Sequence, residues 1–510
     1  MLRQLTTPAQ VETAHQEIST LLREYAEWLF VSDGMAQSLR RDEIEVAVMQ
    51  RRLMLSCWTE KGTRLWRVIA WEWNGQAVEL RMSSRFGAEV SLVQLIPRTP
   101  AKAITATIRA ARQVRCERLA QLASTLQFGS VVERMSLSRG TKPGQPGRNA
   151  QVLLRTRRAR IAVTGPVVSS QPSTVDAFLS ASLLWFRRTS DRIKPPYVEQ
   201  LWLIVSPELL KPLLYRVALL RGSLRDIIRV FTVDEELTFL TPAVCPDKDD
   251  LWRKKLARFP PVAAASASEI SLTIVAEAPD AIDIVHSRHG ETLRYFGLPF
   301  ARVRSLLGRE QVWFGINRAH RQLLDESTAN HWQNMLCDLR EHRSASAVDH
   351  RHAFYRAAPE AWLESLLRRD ITKLDPGLII APLHAQFRTA RGAKLGIRPI
   401  DLLALRQDGR LVVIELKVSE DREHVLQGAD YWRRVEAHRR RGHIARAKLF
   451  GARTIRDEAP LVYLVAPTLR VHPAFQTLAH CISSDIEIYR FDINEDWRSG
   501  VRIMRRQRVN

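Results

Sequence analysis

Two carboxylates and a lysine lie close together in the segment "RPIDLLALRQDGRLVVIELKVSED", residues 398–421. Asp401 precedes one apolar run, residues 407–409 have the composition of a tight turn, and Glu415 and Lys417 end a second apolar run. Two acids with an amine suit metal-ion or acid–base chemistry, whereas the alternative is an ordinary salt-bridged strand end. The secondary structure that carries these residues decides which interpretation is favoured.

The alternation of side chains along a strand places Glu415 and Lys417 on the same face. The opposite face is wholly apolar, and the rest of their own face is apolar too, which predicts a central, covered strand. If residues 401–405 and 411–417 pair as a hairpin, Asp401 lies beside Glu415 and Lys417. Burying these charges is costly unless they serve a metal or a substrate.

Two carboxylates together with a carbonyl and waters form a hard-ligand site that suits Mg²⁺ or Mn²⁺. Such an ion polarises a phosphodiester and lowers the pKa of bound water, while a nearby ammonium orients that water or offsets developing charge. A purely structural Asp…Glu-x-Lys arrangement is the alternative, because this pattern by itself is loose.

A helix is predicted over 421–441, "DREHVLQGADYWRRVEAHRRR", with Gln427 and Tyr431 at i and i+4 on one face. A helix that follows the Glu-x-Lys strand can bring this pair over the metal site. Its remainder is strongly basic and suits a phosphate backbone, although a solvated charged side is the alternative. The candidate phosphate-binding residues are Arg433, Arg434, Arg439, Arg440, Arg441, Arg446 and Lys448.

The segment 357–510 resembles the PD-(D/E)XK nuclease superfamily, in particular its RecB-type and archaeal-type mismatch endonuclease-like branches. The resemblance rests on four elements in order: "PEAWLESLLRRD", "RPIDLL", "VIELK" and "QGADY". It implies a restriction-endonuclease-like αβββαβ core and Mg²⁺-dependent cleavage of DNA.

Carried over to this sequence, the resemblance makes Asp401 and Glu415 the metal ligands and Lys417 the water-activating or charge-stabilising lysine. Gln427 and Tyr431 become substrate-side or lysine-positioning residues. The acid of the first helix is Glu360 or Glu364. Glu360 is favoured because it lies nearer the edge of the predicted buried stripe of that helix.

The composition agrees with a polyanionic partner. The chain has 510 residues, with 77 Lys+Arg against 55 Asp+Glu and a net charge of +22. Five scattered cysteines form no CxxC pair, so a reducing cytoplasm is expected and a thiolate zinc site is not. The first residues lack a signal-peptide core and no long apolar run is present, so we expect a soluble, intracellular protein without a membrane partner.

The fold class predicted from the sequence is multidomain α/β. The expected regions are 1–100, an N-terminal helix over 7–30 followed by a β-rich part; 101–258, an α/β domain; 269–345, a mixed α/β connecting domain; and 357–510, the nuclease-like domain. A helix is predicted over 101–125, and "FPPVAAASAS", residues 259–268, is the best domain linker. His286 and His289 also suggest a metal site, but two histidines without a third ligand are more often ordinary surface or core residues.

The N-terminal half contains a candidate degenerate copy of the nuclease unit. A constant offset of 260 relates five pairs of residues: Val205 and Val465, Pro207 and Pro467, Phe231 and Phe491, Val233 and Ile493, and Glu235 and Glu495. "IAVTG" stands in place of "VIELK", and Gln151 or a neighbour in place of Asp401, so this copy could only bind or scaffold. Chance similarity between two βαβ units is the alternative.

The sequence therefore predicts a Mg²⁺-dependent deoxyribonuclease, an endonuclease of DNA repair or phage defence. The alternative is a catalytically silent nucleic-acid-binding scaffold that keeps the nuclease fold. The sequence leaves three questions open: whether the substrate is DNA or RNA, whether cleavage is endonucleolytic or exonucleolytic, and whether the chain forms a homodimer or binds a protein partner.

Overall fold

The computed structural model of the chain describes most of its residues. The described ranges are 2–32, 35–59, 62–83, 90–98, 101–140, 146–168, 174–253, 266–287, 290–306, 309–316, 321–380 and 401–510. Within them the protein is mixed α/β with several sheets, and it forms two compact units. The first unit comprises Met1–Gln171, Phe186–Leu210 and Ile227–Val244, and the second comprises Pro172–Trp185, Lys211–Asp226 and Cys245–Asn510.

The first hundred residues form an antiparallel sheet packed against helix α1 (Pro8–Arg23). Thr7 caps this helix through a capping box with Gln10. The strands are β1 (Arg3–Gln4), β2 (Glu27–Ser32), β3 (Met35–Arg40), β4 (Ile44–Met49), β5 (Arg52–Thr59), β6 (Gly62–Trp73), β7 (Val78–Ser83) and β8 (Val90–Pro97). Their order is β3-β2-β8-β7-β6-β5-β4, with β1 paired to β6.

The helix predicted over 7–30 is too long. It ends at Arg23, and residues 27–32 form strand β2, which pairs with β3 on one side and β8 on the other. The apolar spacing of this stretch is compatible with a helix, but pairing on both sides and the complete burial of Trp28 outweigh local spacing.

A second sheet is covered on one face by helix α2 (Ala101–Leu126), as predicted for 101–125. Its strands are β9 (Val131–Arg139), β10 (Pro146–Arg155), β11 (Arg160–Pro166), β12 (Val198–Val205), β13 (Ile228–Val233) and β14 (Leu240–Ala243), in that order across the sheet. The connecting helices are α3 (Val175–Arg192) between β11 and β12, and α4 (Pro207–Val217) and α5 (Gly222–Ile227) between β12 and β13.

A third sheet is an antiparallel meander that begins after helices α6 (Asp250–Arg253) and α7 (Glu269–Ala276). Its strands are β15 (Ile282–Ser287), β16 (Gly290–Tyr295), β17 (Leu298–Leu306), β18 (Arg309–Phe314) and β19 (Gln322–Leu323). Helix α8 (Ala329–His342) packs Trp332 and Leu336 against this sheet, and the short helix α9 (Ala353–Arg356) follows it. Most of the linker predicted at 259–268 lies outside the described residues.

The fourth sheet contains the residues of the candidate site. Helix α10 (Pro359–Arg369) precedes it. Its strands are β20 (Leu378–Ile380), β21 (Leu402–Arg406), β22 (Leu411–Leu416), β23 (Leu461–Pro467), β24 (Ile488–Ile493) and β25 (Ile503–Arg508), again in chain order. Helices α11 (His424–Arg439) and α12 (His443–Arg446) connect β22 to β23, and α13 (Phe475–Ala479) connects β23 to β24. Helix α10 packs on one face of the sheet and α11 on the other.

The second and fourth sheets have the same strand order and the same strand directions. In each sheet the first three strands are antiparallel, the third, fourth and fifth are parallel, and the sixth is antiparallel. The strand order predicted for the N-terminal copy is therefore confirmed.

The predicted residue match between the two sheets needs one correction. Leu203 pairs with Val230 as Leu464 pairs with Arg490, so Ile204, not Val205, corresponds to Val465. Ile204 and Val465 also share the same environment, because each faces the core under α2 or α10. A one-residue slip along a strand moves a side chain to the other face, so the constant offset of 260 cannot hold in β12.

Candidate active site

The hairpin β21–β22 places Asp401 beside Glu415. Leu402 pairs with Ile414 in the antiparallel ladder, and Asp401 directly precedes Leu402. Gly409 has a φ of 86°, which favours glycine, and this allows the tight turn between the two strands. All six residues of β22 are buried, and β22 also pairs with β23 in parallel. The strand is therefore central, as its sequence predicts.

Hydrogen bonds hold all three side chains in place, and the carboxyl groups of Asp401 and Glu415 also interact with each other. Lys417 Nζ donates to Glu415 Oε1 at 2.8 Å, and the Leu416 amide donates to Asp401 Oδ2 at 2.8 Å. Lys417 Nζ also lies 3.7 Å from Asp421 Oδ2. Glu415 is 1% exposed, and its Oε2 has no hydrogen-bond partner among the described residues. One oxygen of a buried carboxylate is thus left without a donor.

Burial dominates the electrostatics of the acids. It raises the pKa of Asp401 to about 6, against the opposing effects of the Leu416 amide and the Lys417 ammonium. Burial, and then the charge of Asp401, hold the pKa of Glu415 well above its usual value. Two carboxyls that resist ionisation side by side are a site at which a bound cation would replace protons.

The ammonium of Lys417 is stabilised. Burial by itself lowers the pKa of Lys417, but the charges of Glu415 and then Glu360 outweigh this effect and raise it above its usual value. Lys417 is therefore a cation at neutral pH.

Helix α10 directs both candidate acids toward the site. Glu364 is buried and accepts a hydrogen bond from Arg368 Nε at 2.7 Å, while Arg294 Nη1 lies 3.7 Å from its other oxygen. Arg368 Nη2 also donates to the Asp401 carbonyl at 3.2 Å. Glu360 is only half-buried and acts on Lys417 through its charge. Glu364 thus belongs to an ion-paired network next to Asp401, and Glu360 is the acid nearer to Lys417 in electrostatic effect.

Helix α11 brings Gln427 and Tyr431 to the same region. Both are buried, and the charges of Glu415 and Asp401 add to burial in raising the pKa of Tyr431. Gln427 Nε2 donates to Glu423 Oε2 at 3.3 Å, and Gln427 Oε1 has no hydrogen-bond partner among the described residues.

His424 was not predicted as a site residue. Its Nε2 lies 3.2 Å from the Glu415 carbonyl oxygen, and burial followed by the charge of Lys417 lowers its pKa to about 4. His424 is therefore neutral at physiological pH. Its position three residues before Gln427 and seven before Tyr431, on the same helix face, is a signal that the sequence contained.

The basic residues of and after α11 divide into two groups. Arg433 donates to Asp430 at 2.6 and 2.9 Å, Arg439 donates to Glu436 at 2.6 and 2.8 Å, and Arg434 is buried with its guanidinium 5.3 Å from the Tyr431 ring. Arg441 donates to the carbonyls of Ala437 and Trp252. The exposed members of the predicted set are Arg440, Arg446 and Lys448, and of these Arg440 also donates to Glu436 at 2.6 Å.

A buried ion cluster fixes the middle of α11. Arg216 of α4 donates to both oxygens of Asp176 at 2.7 and 3.0 Å, and its Nη2 lies 3.3 Å from Asp430 Oδ2. Burial by itself raises the pKa of Asp430, but the charges of Arg216 and then Arg433 outweigh this effect and hold the pKa below its usual range. Asp430 lies next to Tyr431 in the chain, so Arg216 contributes to the position of the helix that carries the site residues.

The alternative metal site involves His286 and His289. His286 Nδ1 lies 3.2 Å from Glu291 Oε1, and Glu291 accepts hydrogen bonds from Ser268 and Ser271. His289 lies outside the described residues. In the part of the chain that the structure describes, there is no group of three or more His, Cys, Asp or Glu side chains that could hold a metal.

Comparison of the chain with protein-family models, with curated proteins and with solved structures gives no match. Among the described helices, not one has both the length and the apolar character needed to cross a membrane.

Proposed function

We infer that Asp401, Glu415 and Lys417 form the active site of a metal-dependent nuclease that hydrolyses phosphodiester bonds of DNA. The observation that carries this proposal is Glu415 Oε2, a deeply buried carboxylate oxygen without a hydrogen-bond partner among the described residues. Leaving such an oxygen unsatisfied costs about 1–3 kcal/mol or more. An ordinary salt-bridged strand end would be exposed to water, whereas this one is enclosed.

The donor set fits a hard divalent cation. Asp401 and Glu415 supply carboxylate oxygens, and the side-chain oxygen of Gln427 is a further buried acceptor without a hydrogen-bond partner in the described chain. Asp401 and Glu415 would hold Mg²⁺ or Mn²⁺. When bound there, the ion would polarise the scissile phosphodiester and lower the pKa of a bound water.

The chain's own groups supply the remaining requirements. Lys417 is a buried ammonium that donates to Glu415 and can offset the charge that develops on the phosphate oxygens. His424 is neutral and fixed against the Glu415 carbonyl, so it adds no competing positive charge. Arg368 fixes the backbone at Asp401 and thereby the direction of that carboxylate.

The order of elements supports a restriction-endonuclease-like core in 357–510. Helix α10, strands β20 to β22, helix α11 and strand β23 follow the αβββαβ order, and β24 extends the sheet. The acids lie at the carboxyl end of the central strand β22 and just before β21. Ligands of open α/β sheets bind outside the carboxyl ends of the parallel strands.

The alternative is a scaffold that binds nucleic acid without cleaving it. The second sheet favours this role for the N-terminal half, because Thr164 and Gln151 take the positions of Glu415 and Asp401 there. A cleavage assay separates the two functions for the whole chain.

The experiment uses the purified full chain on single-stranded, duplex, flapped and mismatched DNA, with Mg²⁺, Mn²⁺ or EDTA. We expect cleavage with either metal and none with EDTA. Asp401→Asn, Glu415→Gln and Lys417→Ala should each lower the rate by at least about 100-fold. Because the three act as one unit, double variants should be no slower than single ones.

Asp338→Asn is the matched control, since it removes an exposed acid from helix α8 and should cleave like the wild type. Undiminished cleavage by the Lys417→Ala protein would contradict the role given to Lys417. Binding of DNA without cleavage under every metal condition would favour the scaffold.

A further inference from the structure

The second sheet has an edge that corresponds to the candidate active site but differs from it in charge. Leu464 pairs with Glu415 on one side and Arg490 on the other, as Leu203 pairs with Thr164 and Val230. Thr164 therefore stands in the position of Glu415. Gln151, which pairs with Thr164, stands in the position of Asp401, and Pro166 in that of Lys417.

Three arginines lie at this end of the sheet, which we call the Thr164 edge. Arg112 of α2 donates to the carbonyls of Pro146 and Gly147 at 2.6 and 3.2 Å, where β10 begins. Arg148 follows on the same strand and is exposed. Arg139, also exposed, ends β9 and pairs with Pro146. Arginine side chains from the helix and from two neighbouring strands are thus gathered at one end of the sheet.

The local composition is strongly basic as well. Residues 101–166 contain thirteen Lys or Arg and two Glu, a net charge of +11 that is half of the chain's +22. One of these two glutamates, Glu133, accepts hydrogen bonds from Arg160 at 2.6 and 3.0 Å. That pair lies at the opposite end of the strands, because Arg160 pairs with Arg155 near the β10–β11 turn and not with the residues of the Thr164 edge.

The charge at the Thr164 edge suits an anion. Burial has the largest effect on the pKa of Arg112 and lowers it, and the positive charge of Arg148 lowers it further. The two guanidinium groups therefore repel each other. A phosphate placed between them would replace repulsion by attraction and form charge-assisted hydrogen bonds. Thr164 and Gln151 are uncharged, so the two positions that correspond to Glu415 and Asp401 do not repel a polyanion here.

We propose that the Thr164 edge, with Arg112, Arg139 and Arg148, binds the phosphodiester backbone of DNA without a metal ion. It is a site of binding and not of cleavage, because it has no acid in the positions of Asp401 and Glu415. Such a site holds substrate whether or not the metal-dependent site is loaded. Contacts to phosphates carry no base information, so binding there is independent of sequence.

The test measures DNA binding by the full chain in EDTA, with fluorescence anisotropy of a labelled duplex and of its single strand over a range of salt concentrations. The double variant Arg139→Glu/Arg148→Glu is compared with Arg157→Glu/Arg158→Glu. The second pair is exposed in the β10–β11 turn at the other end of the same strands and changes the net charge equally.

We expect the Arg139/Arg148 variant to bind at least about tenfold more weakly, with a salt slope reduced by roughly 0.7–0.9 per lost contact. The Arg157/Arg158 variant should bind within about twofold of the wild type. Equal losses in both variants would show that only total charge matters and would overturn the proposal. Circular dichroism of both variants checks that each is folded.

Hydrogen exchange gives an independent measurement. Bound DNA should protect the amides of 107–115 and 146–150, and protection confined to other segments would also overturn the proposal. A wild-type chain that does not bind DNA in EDTA refutes this site alone, because metal-dependent cleavage is tested by a different assay and by different variants.

Discussion

Replacing Asp401 with Asn tests the electrostatic description of the candidate site without any substrate. Burial raises the pKa of Asp401 from 3.8 to about 6, so the folded chain holds this proton more tightly than the unfolded chain does. Between about pH 4 and pH 6 the folded state binds more protons, and stability at this position falls as the pH rises. Above about pH 6 the carboxylate is ionised in both the folded and the unfolded state, so the folded state bears the full free-energy cost of burying the charge.

The size of the effect follows from the shift. The pKa rises by about two units, and each unit corresponds to about 1.4 kcal/mol. The buried charge of Asp401 therefore lowers the free energy of unfolding by about 3 kcal/mol at pH 7. Asn keeps an oxygen that can accept the hydrogen bond from the Leu416 amide, 2.8 Å away in the wild type, but it has no charge to desolvate. Asp401→Asn should therefore raise the free energy of unfolding at pH 7, without divalent ions, by up to about 3 kcal/mol, and change it little at pH 3.5.

Urea unfolding in EDTA at the two pH values, followed by tryptophan fluorescence, measures this difference. Asp338→Asn, the exposed control, should match the wild type at both. Added Mg²⁺ should stabilise the wild type and leave Asp401→Asn unchanged, because only a chain that binds the ion gains stability from it. A variant that is less stable than the wild type at pH 7, or equally stabilised at both pH values, would refute the assignment of the pKa shift to burial.

Two further predictions concern helix α11 and its surroundings. Changing Arg440, Arg446 and Lys448 to Gln should weaken DNA binding regardless of sequence, and should lower the salt slope by roughly 0.7–0.9 per lost contact. A salt titration that shows weaker binding with an unchanged slope would indicate that these residues act through folding. Arg216→Met should lower the free energy of unfolding by about 3–5 kcal/mol at pH 7, because it removes the guanidinium that donates to both oxygens of the buried Asp176. The same guanidinium lies 3.3 Å from Asp430, which keeps its hydrogen bonds from Arg433. The loss should shrink toward pH 3, where carboxylates protonate, and urea unfolding that shows the same loss at both pH values would contradict this reason.

The sequence by itself predicted the geometry of the β21–β22 hairpin. Side-chain alternation placed Glu415 and Lys417 on one face, and the turn at 407–409 fixed the register that brings Asp401 beside them. It also predicted the helix that carries Gln427 and Tyr431. These features follow from the period of a strand or a helix and from short turns, which are properties of neighbouring residues.

Only the tertiary structure decided which charges are free to act. Arg433 and Arg439 belong to a basic run in the sequence, yet they are bonded to Asp430 and Glu436 in the folded chain. The partners of Asp430 and Glu364 include Arg216 and Arg294, which are distant in the chain, and no local pattern identifies them.

The same limit explains the errors in the predicted elements. Residues 27–32 have apolar spacing that fits a helix, but β3 and β8 provide pairing on both sides and make them a strand. The one-residue slip in β12 follows likewise from its pairing with β13 and from the core beneath α2. Local periodicity limits what a segment can form, whereas burial and pairing with residues far along the chain select one outcome, because they contribute more free energy than local preference does.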